Sequence, residues 1–194
     1  MSGAERIHLA SDEELQKSRV GEMVPHNAPI HIAEYDPEWP RLFDREAARI
    51  HGVLGDDRVR LLEHAGSTSV PGLPAKPIID MVLAVPDTAD EPAYVPDLEA
   101  AGYLLTVREP DWFEHRLFKG PDTNVNLHVF TDGCVEIDRM LRFRDWMRGH
   151  DEDRDRYAAA KRALAGRTWR HVQHYADAKT AVVQEIMDRA NAAT

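Results

Sequence analysis

Four apolar residues, Phe43, Ala47, Ile50 and Leu54, recur at spacings of four, three and four, and so share one stripe of an α-helix. Asp36 and Pro37 give that helix its entry, Pro40 disturbs its first turn, and Gly55 ends it in a left-handed cap. Before it, PIHIAEYDPEWP predicts a short strand over residues 30–34 and then a stop. After it, VRLLEHA reads as a strand over 59–65. PIIDMVLAV, apolar nearly throughout and rich in branched side chains, reads as a strand covered on both faces. Residues 90–102 read as a helix closed by Gly102, and YLLTV, WFEHRLFK and NVNLHVF as three further strands. In the last of these Val125, Leu127 and Val129 face one way, whereas Asn124, Asn126, His128 and Phe130 face the other, so one face is core and the other largely polar. Beyond Gly133 the pattern turns helical over about 135–148, 153–165 and 169–192, broken by Gly149 and Gly166. Strands first and helices later indicate an α+β fold with a mixed or partly antiparallel sheet. Residues 1–29 carry one short polar helical segment, SDEELQKSR, capped by Ser11. They are expected to form a loosely attached arm on a single domain over 30–194 whose part from 134 onward is helical.

At 194 residues the chain suits one well-packed core, and its 43% hydrophobic and 30% charged residues are those of an ordinary globular protein. No apolar run approaches the roughly 20 residues of a membrane helix. The opening MSGAERIHLASDEEL lacks the basic start and apolar centre of a secretory signal, so a cytoplasmic protein without a membrane partner is expected. Cys134 is the sole cysteine, which excludes an internal disulfide. A formal net charge of −10 opposes binding to phosphate backbones, and no nucleic-acid partner is expected. A local basic cleft for a small anion stays open.

Residues 63–85, EHAGSTSVPGLPAKPIIDMVLAV, carry the chemistry. Asp80 interrupts an apolar strand, where an ionised carboxylate is costly unless hydrogen-bond donors, a cation or a metal offset it. It either closes a strand end on backbone N–H groups or an arginine, or belongs to a ligand site. Gly66, Ser67 and Thr68 make a small-residue turn in which backbone N–H groups and a hydroxyl can approach a phosphate. A Gly-Ser pair, twelve intervening residues and an Asp on a buried strand resemble the hG[GS] and Dh[DE]h pattern of the nucleotidyltransferase superfamily. More specifically, YDPEWP, EHAGSTSVPGLPAKPIID, NLHVF, FRDWMRGH, RYAAAKRALA and YADAKTAVV resemble the GrpB family in order and spacing over about residues 30–187.

That resemblance implies a nucleotidyltransferase-like short mixed β-sheet with packed helices and a C-terminal helical extension. It puts Gly66 and Ser67 where the superfamily holds a nucleoside triphosphate, and Asp80, as catalytic residue, where it holds the first metal ligand. The implied ligand is a nucleotide or other phosphorylated small molecule, and the implied reaction is nucleotidyl transfer dependent on a divalent cation, Mg or Mn. GrpB-like domains also occur fused to dephospho-coenzyme A kinase in some bacteria, which implies a functional link to that enzyme. The sequence departs from the pattern at Val82, which stands at the second acid and cannot ligate a metal, so two-metal phosphoryl transfer loses a ligand. His128 is the polar candidate for the third acid, and imidazole suits Mn, Fe or Zn better than Mg. A noncatalytic ligand-binding or accessory module with a degenerate site is the alternative.

Other residues admit two readings. His64 could contact a phosphate or metal, or be a hydrogen-bonded structural histidine. Lys76, four residues before Asp80, could pair with it or with an anion, and Asn126 is expected to share the polar cleft. Arg144 and Lys161 are cationic candidates from the helical part, with surface ion pairing to Asp145 or Glu152 as the other reading. Of His115 and Arg116 only one can face the cleft, and each reads as a solvated side chain. His171 and His174 could share a helix face without a third metal ligand. The serines lack a G-x-S-x-G context, and Trp39, Trp112, Trp146 and Trp169 are dispersed as packing residues are.

Overall fold

In a computed structural model the protein is described over residues 9–193, so the first eight residues of the expected arm lie outside the described residues. Helices α1 (Asp12–Ser18) and α2 (Trp39–Leu54) precede strands β1 (Leu61–Ala65) and β2 (Ile79–Val85). Helix α3 (Val95–Ala100) follows, then β3 (Leu104–Glu109), β4 (His115–Lys119) and β5 (Val125–Thr131), and finally α4 (Val135–Gly149), α5 (Asp151–Ala165), α6 (Val172–Asp177) and α7 (Thr180–Ala192). The five strands form one mixed sheet in the order β1-β2-β5-β4-β3, in which β2 and β5 run parallel and every other pair antiparallel. The α+β class read from the element order is therefore the observed one.

Period-two alternation divides the sheet into two faces. Met81, Leu83, Leu127 and Val129 lie on the first, in a core completed by Ile50 and Leu54 of α2 and Leu98 of α3. Val82, Ala84 and Phe130 lie on the second, packed against Ile137 of α4. Farther along that second face Asp80, Asn126, His128 and Lys119 are only half-buried, because α4 covers part of the face and leaves this part accessible.

Several elements differ from the sequence pattern. Residues 30–34 form no strand. Ala33 and Ala75 exchange two backbone hydrogen bonds of 2.8 and 2.9 Å as an isolated bridge, while Ile30 is buried with Trp169 and Tyr175. The segment thus satisfies its backbone off the sheet. Helix α2 begins at Trp39, with Asp36 Oδ1 accepting from the Glu38 N–H at 2.9 Å, and Pro40 sits in the first turn, where a missing N–H costs nothing. The expected helix over 169–192 is two helices. Tyr175 and Ala178 serve the cluster around Trp169, whereas Ile186 serves another with Val70 and Leu73, and the break at Ala178 and Lys179 lets the segment reach both. The expected strand from Trp112 starts only at His115, since Phe113 and Glu114 turn with φ of 54° and 52°.

The arm meets the domain through polar contacts. Ser11 caps α1 as expected, Asp12 accepts from Arg170 Nε at 2.9 Å and from His171 Nε2 at 2.8 Å, and the Val20 N–H donates to the Thr106 carbonyl at 3.1 Å. His174 bonds to the Ala10 carbonyl, so both helical histidines serve the arm and neither is placed as a metal ligand.

Candidate anion-binding site

Strand β1 ends at Ala65 and the chain turns through Gly66 into a single 3₁₀ turn, Ser67–Ser69. Gly66 has φ of 64°, and a Cβ there would lie 2.8 Å from the Cβ of Asp80 and closer still to its Oδ2, so only glycine permits this approach. The pairing Ala65↔Asp80 and Asp80↔Asn126 centres the carboxylate between β1 and β5. Asn126 Nδ2 donates to Asp80 Oδ1 at 2.7 Å, and Lys119 Nζ donates to Asn126 Oδ1, which orients that amide. Asp80 is thus met by one neutral donor, itself oriented by a cation, which offsets part of the cost of a carboxylate in an apolar strand.

The cations are lysines. Lys161, almost wholly buried on α5, donates to Ser67 Oγ at 3.0 Å and to the Pro74 carbonyl, and its Nζ lies 4.7 Å from the centre of the Tyr157 ring. Lys179, in the break between α6 and α7, and Lys76 both lie over the Tyr175 ring, at 4.7 and 5.8 Å. Burial pulls Lys161 down to about 7, and the charges of Lys179 and Arg162 add to this. Burial also lowers the proton affinities of Lys76, Lys119 and Lys179, while the Asp80 carboxylate partly offsets it in each. Four lysines therefore lie within electrostatic reach of one carboxylate in a chain of net charge −10.

The other expected residues divide between this cluster and its frame. His64 Nε2 is 3.0 Å from Thr68 Oγ1, whose hydroxyl donates to the Ile78 carbonyl at 3.1 Å. The ring stacks on Phe43 at 5.0 Å, and burial, opposed by Asp80, pushes its pKa down to about 4. Thr68 and His64 are thereby engaged in holding the turn. Arg144 pairs with Asp145 as one reading expected, but it is buried and also binds Glu63 Oε2 at 2.7 Å and the His64 carbonyl at 3.0 Å. It ties α4 to β1. Among the described residues Lys161 makes no surface ion pair, because α5 aims it at the turn.

His115 and Arg116 are both buried, contrary to the solvated reading, because each finds partners on its own face. Arg116 Nε binds Glu91 at 2.7 Å, whereas His115 bridges Glu109 and His128 at 2.7 and 3.0 Å. Burial, with repulsion from His115 whenever that ring is protonated, pushes His128 down to about 4. His128 lies on the Asp80 face through its pairing with Val82. For a divalent cation these two donors do not make a shell, since Val82 takes the second acid's place and, among the described residues, no three His, Cys, Asp or Glu side chains converge. Sequence reading missed Lys119 and Lys179. Lys119 shares the parity of His115 on β4, and Lys179 stands in YADAKTAVV, yet neither signal tells which strand or turn it will meet.

A separate hollow of about 310 Å³ lies between α4 and α7, lined by Arg139, Arg142, Gln184 and Asn191 among others, and includes none of the lysine cluster. No helix among the described residues is long and apolar enough to cross a membrane.

Comparison with known proteins gives consistent matches. A UPF0157 protein of Halalkalibacterium halodurans is 67% identical over 94% of this chain and 93% of its own length. A dephospho-CoA kinase of Mycolicibacterium paratuberculosis is 28% identical over 84% of this chain, which spans only 46% of that larger protein. Among solved structures, the conserved protein GrpB of Enterococcus faecalis superposes with a TM-score of 0.73 at 31% identity, covering 82% of this chain and 96% of that one. A family model described as GrpB protein matches residues 29–189, and the chain belongs to the GrpB family.

Proposed function

We propose that the protein binds a nucleotide or other phosphorylated small molecule at the lysine cluster around Asp80, with Gly66, Ser67 and the lysines 76, 119, 161 and 179 receiving the phosphate. The gathering of four half-buried or buried lysines around one carboxylate carries this reading. Burying an ammonium group is unfavourable without a compensating anion, and one carboxylate cannot neutralise four. A phosphate would complete the balance and relieve the mutual repulsion of Lys161, Lys179 and Lys76. Asp80 then acts as the internal counter-ion that keeps the cluster assembled between ligands.

Nucleotidyl transfer is the second reading, favoured by the placement of Gly66 and Ser67 beside Asp80. The incomplete donor set around Asp80 and His128 favours binding over it. The dephospho-CoA kinase relative makes dephospho-coenzyme A a ligand to include. Calorimetric titration in EDTA with inorganic phosphate, ATP and dephospho-coenzyme A tests the proposal. Binding is expected without metal, and Lys161→Met or Lys179→Met should weaken it about 10-fold or more, the scale of one charged hydrogen bond. Absence of binding by the wild type, or unchanged binding by both variants, overturns it. Pyrophosphate release from ATP with Mg²⁺ or Mn²⁺ that Asp80→Asn abolishes would instead establish transfer.

A further inference from the structure

The row Glu109, His115, His128 crosses β3, β4 and β5 on the sheet face that bears Asp80, and its hydrogen bonds fix proton positions. An ionised carboxylate only accepts, so Glu109 Oε2, 2.7 Å from His115 Nδ1, requires the proton on that nitrogen. Neutral His115 then has a bare Nε2, which accepts from His128 Nδ1 across 3.0 Å. The second ring nitrogen of His128 is left without a proton. It makes no hydrogen bond among the described residues, and it is not among the buried unpartnered atoms there, which are Arg49 Nη1 and the Tyr175 hydroxyl. His128 is half-buried and not sealed within the core.

We infer that Glu109 and His115 are positioning residues that lock His128 in the Nδ1–H form, so that its Nε2 accepts a hydrogen bond from a hydroxyl of a bound ribose phosphate. The inference rests on the phosphate-binding reading above and deepens it. Asn126, held by Lys119 and Asp80, and His128 are two residues apart on one strand face, roughly 7 Å. Inorganic phosphate cannot span that separation, whereas a phosphate with its sugar can, either free or within a nucleotide. The hydrogen bond from His128 Nδ1 to His115, whose own ring lies against Phe130 with centroids 4.8 Å apart, keeps the His128 ring from turning to expose the other nitrogen.

Long-range ¹H–¹⁵N spectra of the full chain at pH 8, above the ordinary imidazole range, read the tautomer directly. His128 is expected in the Nδ1–H form in the wild type and as a mixture in Glu109→Leu. An Nε2–H form in the wild type, or an unmixed Nδ1–H form in the variant, overturns the lock. Titrations with inorganic phosphate, ribose 5-phosphate and AMP then test its use. His128→Phe should weaken the two ribose ligands about 10-fold and leave phosphate unchanged. A loss confined to AMP assigns the site to nucleotides, and a loss for both extends it to free sugar phosphates. If the wild type binds no phosphate, the phosphate-binding reading fails. If phosphate binds and His128→Phe leaves both ribose ligands unaffected, this inference alone fails.

Discussion

Gly66 shows how one residue sets the chemistry of the site. Its φ of 64° and the crowding of any Cβ against Asp80 mean that Gly66→Ala must strain the turn and displace the carboxylate together. The expected loss is about 2 kcal/mol, read as a lower urea midpoint with an unchanged slope. A variant as stable as the wild type would show that the turn has room to relax. Asp80 itself owes its place to neutral donation from Asn126 and to lysines contributed by three other parts of the chain. The acid in an apolar strand was legible as a residue needing partners, and Asn126, Lys76 and Lys161 were legible as candidates, but Lys119 and Lys179 were not. Lys119 lies 39 positions away and Lys179 lies 99 away.

At the scale of elements, the arm and α4 attach in different ways. Helix α1 buries none of its residues, and Asp12, Ala10 and Val20 hold it to Arg170, His171, His174 and Thr106 mainly by exposed or half-buried polar bonds. Such contacts contribute little net stability. Deleting residues 1–28 should therefore leave one cooperative unfolding transition and lower its midpoint by less than about 8 °C, on the scale where 1 kcal/mol moves a domain of this size roughly 2–4 °C. A larger fall, or two transitions by calorimetry, would make the arm part of the core. Helix α4 is joined differently, through buried Arg144 to Glu63 and the His64 carbonyl, and through Ile137 to the sheet. The periodic pattern gave the existence of α4 and its length to within a residue. That Arg144 faces the sheet was hidden, because a charged side chain has no apolar stripe to mark its inward side.

At the scale of the whole molecule, a net charge of −10 surrounds an inner cluster of the opposite sign, and stability should respond to pH accordingly. Lys161 holds its proton to about 7 when folded and to 10.5 at its ordinary value. Below about pH 7 it is charged in both states, and the cost of burying its ammonium is present in full. Between about 7 and 10.5 the unfolded chain binds a proton that the folded one does not, so stability rises with pH. Lys76, Lys119 and Lys179 are shifted in the same direction. The urea midpoint should climb from pH 7 to pH 9 in the free protein, and Lys161→Met should flatten the climb. A midpoint falling over that interval would show that these ammonium groups are hydrated in the folded state. By itself the sequence located the five strands of the sheet, the main helices, the α+β class and the turn beside Asp80, because these follow from periodicity and from the needs of single residues, while wrongly adding a strand over 30–34. The tertiary structure alone decided which lysines converge, that His115 is buried between Glu109 and His128, and that the last helix breaks at Ala178 and Lys179. Strand parity fixes the face a side chain occupies, but only the order β1-β2-β5-β4-β3 and the packing of α5 to α7 fix its neighbours there.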